Sequence, residues 1–88
     1  LVVGAGPAGL TAATYLARFR RSVLVADGGD PRAGWIPVSH NMPGFPEGIR
    51  GEDILSRLRD QALEYGAVIE EGRVAGLNRA GDVFTAER

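Results

Sequence analysis

Apolar and polar positions change their period several times along this 88-residue chain, and each change marks an element. Leu1, Val2 and Val3 form an apolar run that breaks on Gly4, which reads as a strand. From Pro7 onward apolar residues recur at spacings of three and four. Leu10, Ala13 and Ala17, with the neighbouring Leu16, are expected on one helix face, and Pro7 suits the first turn, where no N–H is needed. Residues 22–27, "SVLVAD", are a short continuous apolar run, as expected of a strand buried on both faces. Strand, tight turn, helix and strand make a βαβ unit, whose crossover is expected to be right-handed.

Residues 28–50 carry no period and hold Gly28, Gly29, Pro31, Gly34, Pro37, Pro43, Gly44, Pro46 and Gly48. A loop of this length in a small domain points to function or counts against the assignment. Within it, "SHNMPGFPEG" contains the only histidine and the only methionine of the chain. The pattern then turns helical from Gly51, with Glu52 and Asp53 in the first turn. Ile54, Leu55, Leu58, Ala62 and Leu63 form a stripe, and Gly66 is the stop. Residues 67–77 and 81–88 read as strands joined by a turn at Asn78 to Gly81. The fold expected from these elements is α/β, a βαβ arrangement of three layers around a parallel sheet, with a small β-meander added.

Composition narrows the function classes. With 44% apolar residues, 24% charged residues and a net charge of −1, the chain has no basic face for a nucleic acid. Arg18, Arg20 and Arg21 cluster at the expected end of the first helix, where cations complement the helix dipole. No apolar run is long enough to span a bilayer and none resembles a cleavable leader, so a soluble, cytoplasmic setting without membrane partners is expected. The sequence has no cysteine, which removes disulfides and thiolate metal sites from these residues. Because Leu1 enters a strand without a lead-in, the 88 residues are expected to be a fragment of a longer domain.

The chemistry lies in "GAGPAG". Gly4, Gly6 and Gly9 form G-x-G-x-x-G: the first permits a tight turn, the second lets a pyrophosphate approach the backbone, and the third lets helix and strand lie close. The helix N-terminus behind them presents free N–H groups to phosphate oxygens, and Ala8, Ala12 and Ala13 keep that helix slim. Asp27 ends the next strand, 18 residues beyond Gly9 (27 − 9), where a carboxylate can accept hydrogen bonds from both ribose hydroxyls. Its charge would repel a 2′-phosphate, which argues against NADP at this position. Spacing alone does not decide between FAD and NAD.

Two longer stretches carry a resemblance. "GAGPAGLTAATYLAR" is similar to the first βαβ unit of flavoproteins with two dinucleotide-binding domains. "NMPGFPEGIRGEDILSRLRDQALEYGAVI" resembles the low-molecular-weight thioredoxin reductases, whose pattern runs N-x-P-G-F-P-x-G-I-x-G, a helix, then F/Y-G-A. The resemblance covers most of the chain. It implies a Rossmann-like FAD/NAD(P)-binding fold, with residues 1–88 as the N-terminal part of an FAD-binding domain and NADPH bound by a domain outside them. It further implies that Ala5, Gly6, Pro7 and Ala8 line the FAD pyrophosphate. Asp27, with Gly28 beside it, would hold the adenosine ribose. Asn41 would lie against the flavin end and the backbone of Val74 would meet adenine.

The resemblance fails over residues 28–40. Thioredoxin reductases of this type carry a longer segment there with G-G-Q-L. This chain has "GGDPRAGWIPVSH", more similar to thioredoxin-reductase-like oxidoreductases whose segment reads D-x-G-x-P-R-N, with Ala33 where asparagine is common. Reductases that place a cysteine pair soon after this loop are disfavoured. Those that keep C-x-x-C in the NADPH domain are not touched by the missing cysteines.

The expected activity is therefore an oxidoreductase that passes electrons from NADPH through FAD to a disulfide or another acceptor, thioredoxin among them, as a homodimer when complete. A sister flavoenzyme without redox cysteines, either ferredoxin reductase-like or an oxidase, and a non-catalytic nucleotide-binding fragment are the alternatives. No nucleophile, acid–base pair or metal site is expected, and His40 is read as a loop or surface residue.

Overall fold

A computed structural model describes residues 1–29 and 32–88; Pro31 of the expected loop lies outside them. Strand β1 (Val2–Val3), helix α1 (Pro7–Arg18) and strand β2 (Leu24–Asp27) form the βαβ unit. A 3₁₀ turn (Arg32–Trp35) and helix α2 (Gly51–Glu64) lead into β3 (Val68–Glu71). The three strands make one parallel sheet in the order β1-β2-β3, with Val2 opposite Val25 and Val25 opposite Ile69. Strands β4 (Gly76–Ala80) and β5 (Val83–Glu87) form a separate antiparallel hairpin. The α/β, Rossmann-like class expected from the sequence is the class found.

Both helices lie over one face of the sheet. Leu10, Ala13 and Ala17 from α1, Val23 and Val25 from the second strand region, and Ala62 and Ala67 around α2 form the core, with Val2, Leu55, Leu58 and Ile69 packed against it. Leu10 and Val25 are its largest fully buried side chains. Burying one such side chain is worth roughly 1.5–3 kcal/mol. Alternation along the strands sends Leu1, Val3, Leu24 and Val68 to the other face, where all four are exposed. Burial of β2 on both faces is thus not found among the described residues: Val25 is covered and Leu24 is not.

Three further expectations are corrected. On α1 the fourth core position is Thr14, not Leu16, which is exposed. At 3.6 residues per turn Leu16 falls roughly 110° off the arc centred on Leu10, Ala13, Thr14 and Ala17. The Thr14 hydroxyl is buried there with its donor satisfied, because it donates to the Leu10 carbonyl at 2.9 Å. Leu63 likewise sits outside the buried stripe of α2 and is exposed.

The last correction concerns residues 67–77, which do not form one strand. The Gly72 N–H donates to the Asp27 carbonyl at 2.8 Å, and β2 ends at that residue. With no ladder partner beyond it, β3 stops at Glu71. The hairpin turn is accordingly Gly81–Asp82, and Asn78 lies within β4, paired with Thr85.

Each helix ends in the same way. After α2 the Gly66 N–H donates to Leu63 O and the Ala67 N–H to Ala62 O, both at 3.0 Å, with Gly66 at φ +102°. These are the two bonds of a Schellman motif, and they satisfy carbonyls the helix would otherwise leave open. After α1 the equivalent bonds are Arg20 N–H to Ala17 O and Arg21 N–H to Leu16 O.

Candidate functional site

The glycine turn connects β1 to α1 by three different devices. Gly4 is at φ +97°, a conformation that L side chains rarely adopt, and its N–H donates to Ala26 O at 2.9 Å. Gly9 sits so close beneath the turn that a Cβ there would overlap the Gly4 carbonyl oxygen. Gly6 is different. Its backbone is extended (φ −79°, ψ −175°), and a Cβ on it would meet nothing within 4 Å. Neither backbone conformation nor internal packing calls for glycine at that position.

Gly6 is the N-cap of α1, and its carbonyl accepts the first helical bond, from the Leu10 N–H at 2.9 Å. Ahead of that bond the N–H groups of Gly6, Ala8 and Gly9 have no intrahelical acceptor, and Pro7 has no N–H to satisfy. No side chain caps them, and the first turn holds no acidic residue. Helix α2, by contrast, carries Glu52 and Asp53 in its first turn. The α1 N-terminus therefore has no acidic residue of its own first turn to complement its positive end, which suits an external anion.

Beside the turn lies a cleft of ≈ 150 Å³ lined by Gly4, Ala5, Gly6, Asp27, Gly28, Gly29 and Arg73. Five sequence-predicted residues, Gly4, Ala5, Gly6, Asp27 and Gly28, thus share one cavity. Pro7, Ala8 and Gly9 continue from it as the first turn of α1.

The Asp27 carboxylate is held at both oxygens. Oδ1 accepts the Gly29 N–H at 2.8 Å, and Oδ2 accepts Nη1 of Arg59 at 3.2 Å. The aspartate side chain is 18% exposed and the arginine side chain 44%. Arg59 offsets part of the negative charge on which the argument against a 2′-phosphate rested. The carboxylate still disfavours a 2′-phosphate chemically, because an ionised carboxylate only accepts hydrogen bonds, and so does a fully ionised phosphate.

Two predicted residues stand apart from this cleft. Asn41 is exposed, and its Oδ1 accepts the Ser39 hydroxyl at 2.9 Å. Its loop is closed by paired bonds between Ser39 and Ile49, of 2.6 and 2.9 Å, so residues 39–49 form a pinned excursion ahead of α2. Val74 lines a different cavity of ≈ 270 Å³, shared with Leu1, Leu24 and Ala26 on the outer face of the sheet. His40 is exposed, and among the described residues no carboxylate forms an ion pair with it. No cluster of metal-ligating side chains occurs among the described residues, and none of their helices is long and apolar enough to cross a membrane.

Arg59 and Arg73 were not anticipated. Arg73 adjoins Val74, so the resemblance passed within one residue of it. Arg59 has no sequence signal, because its contact with Asp27 joins residues 32 positions apart.

Strand, glycine turn, slim helix and strand-end acid define a Rossmann-like nucleotide-binding unit. The chain belongs to the family of NAD(P)-binding Rossmann-like domains, which its residues 2–52 match. Among individual proteins, it is 36% identical over 88 residues to a thioredoxin reductase of Streptomyces clavuligerus, covering 97% of this chain and 27% of that protein. A thioredoxin reductase from Gloeobacter violaceus superposes with a TM-score of 0.91 at 33% identity, over 97% of this chain and 29% of the other. The atypical thioredoxin reductase TRi from Desulfovibrio vulgaris Hildenborough gives 0.86 at 40% identity, over 96% and 28%. The chain therefore spans little more than a quarter of the length of these relatives.

Proposed function

We propose that these residues are the N-terminal part of an FAD-binding domain in a thioredoxin reductase-like oxidoreductase that draws electrons from NADPH. The observation that carries this reading is Gly6, a glycine required by neither φ nor packing at the open N-terminus of α1. Such a position is explained by a ligand that must approach the backbone, and a pyrophosphate is the group such a turn fits. Similarity to thioredoxin reductases, whose pattern the sequence resembles, supports FAD as the dinucleotide in this reading.

On this reading the N–H groups at the start of α1 bind the pyrophosphate and Asp27 binds the adenosine ribose. The 39–49 loop places Asn41 towards the flavin end, and Val74 serves the adenine by its backbone. Bound flavin would supply hydride acceptance and electron transfer, while the chain supplies binding, orientation and electrostatics. No residue of this chain is assigned a catalytic role. The acceptor would be a disulfide such as that of thioredoxin, and the complete enzyme would act as a cytoplasmic homodimer. The "GGDPRAGWIPVSH" segment, which departs from the reductase pattern, favours as second reading a flavoenzyme that reduces another acceptor without a cysteine pair.

The test is direct. The purified intact protein should carry or take up FAD, with quenching of flavin fluorescence. Asp27→Ala should weaken that affinity by roughly 1.5–3 kcal/mol, the worth of hydrogen bonds to a charged group. A wild-type protein that takes up no FAD would overturn the proposal.

A further inference from the structure

We infer that Arg59 is a positioning residue of the nucleotide site, aiming the Asp27 carboxylate at the ribose diol; this rests on the dinucleotide reading above. An ionised carboxylate has about four lone-pair sites. In this chain one on each oxygen is taken, Oδ1 by the Gly29 N–H and Oδ2 by Arg59. One site per oxygen is left, which matches a vicinal diol donating one hydrogen bond to each. Without Arg59, the carboxylate keeps a single tether at Oδ1 and can turn about χ2, a torsion that is broad for aspartate.

Arg59 is itself well placed to act as a fixed donor. It belongs to the middle of α2, four residues after Leu55 and one after Leu58, both packed on the core. Its aliphatic stem can follow that apolar stripe while the guanidinium reaches the end of β2. The pair joins residues 32 positions apart, so α2 and the ribose-binding acid are set relative to each other by this contact. Arg73 lines the same cleft, with Nε 3.9 Å from where a Cβ on Gly28 would stand. It makes no contact with Asp27 among those described, so of the two arginines only Arg59 joins the Gly29 N–H in orienting the acid.

The experiment compares two probes that differ only at the ribose. ADP and 2′,3′-dideoxy-ADP are titrated into the intact protein, freed of flavin where it co-purifies. Wild type should prefer ADP by roughly tenfold or more, the worth of hydrogen bonds to a charged group. Arg59→Gln should collapse that preference to about threefold or less, chiefly by weakening ADP, and Arg59→Lys should restore most of it. Where Arg59→Gln does not fold, Arg59→Met and Arg59→Lys carry the same comparison, the first losing the preference and the second keeping it.

A merely structural tie between α2 and the sheet would lower stability and weaken both probes alike. An ADP preference equal in wild type and all folded variants therefore overturns the assignment of Arg59 while leaving the dinucleotide reading intact. A wild-type protein that binds neither probe overturns the dinucleotide reading, and Arg59 falls with it.

Discussion

Gly9 lies against the carbonyl of Gly4, so closely that a Cβ on the former would overlap the oxygen of the latter. The obstacle is backbone, and the same peptide region is fixed by the Gly4 N–H bond to Ala26 O. Neither partner can yield as a flexible side chain would. Gly9→Ala should therefore separate α1 from β1 and cost about 1–3 kcal/mol, as overpacking does in a close-packed core. Thermal or denaturant unfolding of the variant measures it, and a transition like that of wild type would show that the turn relaxes freely.

Gly6→Ala should do the opposite. A Cβ there meets nothing within 4 Å, and the backbone angles are open to any residue. Stability should change by less than about 1 kcal/mol, the scale of an N-cap exchange. On the proposed FAD reading, affinity should nonetheless fall by roughly tenfold or more, because the added methyl would stand where the pyrophosphate is proposed to approach. Unfolding and flavin titration on the same preparation separate the two effects. A variant that binds FAD normally would place the phosphates elsewhere.

The contrast between these glycines shows what could be read from the sequence. "GAGPAG" followed by Asp27 points to the candidate site because the pattern is local: a turn, a helix start and a strand end all lie within residues 4–27. The helix periods revealed the core for the same reason. What escaped depended on contacts between distant segments. Arg59 meets Asp27 across 32 positions of sequence, at a distance that only the packed fold closes. The strand expected over residues 67–77 breaks because its partner ends at Asp27, a fact about β2 rather than about the broken segment. Thr14 takes the core position that hydrophobicity assigns to Leu16, because a hydroxyl that bonds its own helix can be buried there.

Arg20 is the only described non-glycine residue with positive φ, at +61°, and it occupies the position in the Schellman motif of α1 that Gly66 occupies after α2. A side chain in this region costs about 1–2 kcal/mol, part of which a glycine would return as greater freedom of the unfolded chain. Arg20→Gly should consequently stabilise the protein by about 0.5–1 kcal/mol. Losing one exposed arginine beyond the helix end removes little dipole stabilisation, since Arg18 remains in the last turn. A raised denaturation midpoint at unchanged m-value would bear this out, and a lowered midpoint would mean that the Arg20 side chain holds a contact worth more than its backbone strain.

Gly51 joins the proline-rich loop to α2, and the space around it is as tight as that around Gly9. A Cβ there would overlap Ala33 O and come within 2.7 Å of Ile36 O, while its N–H already donates to Ile36 O at 3.0 Å. The 3₁₀ turn Arg32–Trp35 thus rests on the first residue of α2, and glycine is what allows the approach. Gly51→Ala should push the two apart and cost about 1–3 kcal/mol. The loss should be local, because the buried anchors of α2, Ile54 and Ala62, lie further along the helix. Hydrogen exchange at the Ile36-bonded amide of residue 51 and through residues 33–36 should accelerate more than exchange in β2 and β3. Equal acceleration throughout the sheet would show instead that the loop and the core open as one unit.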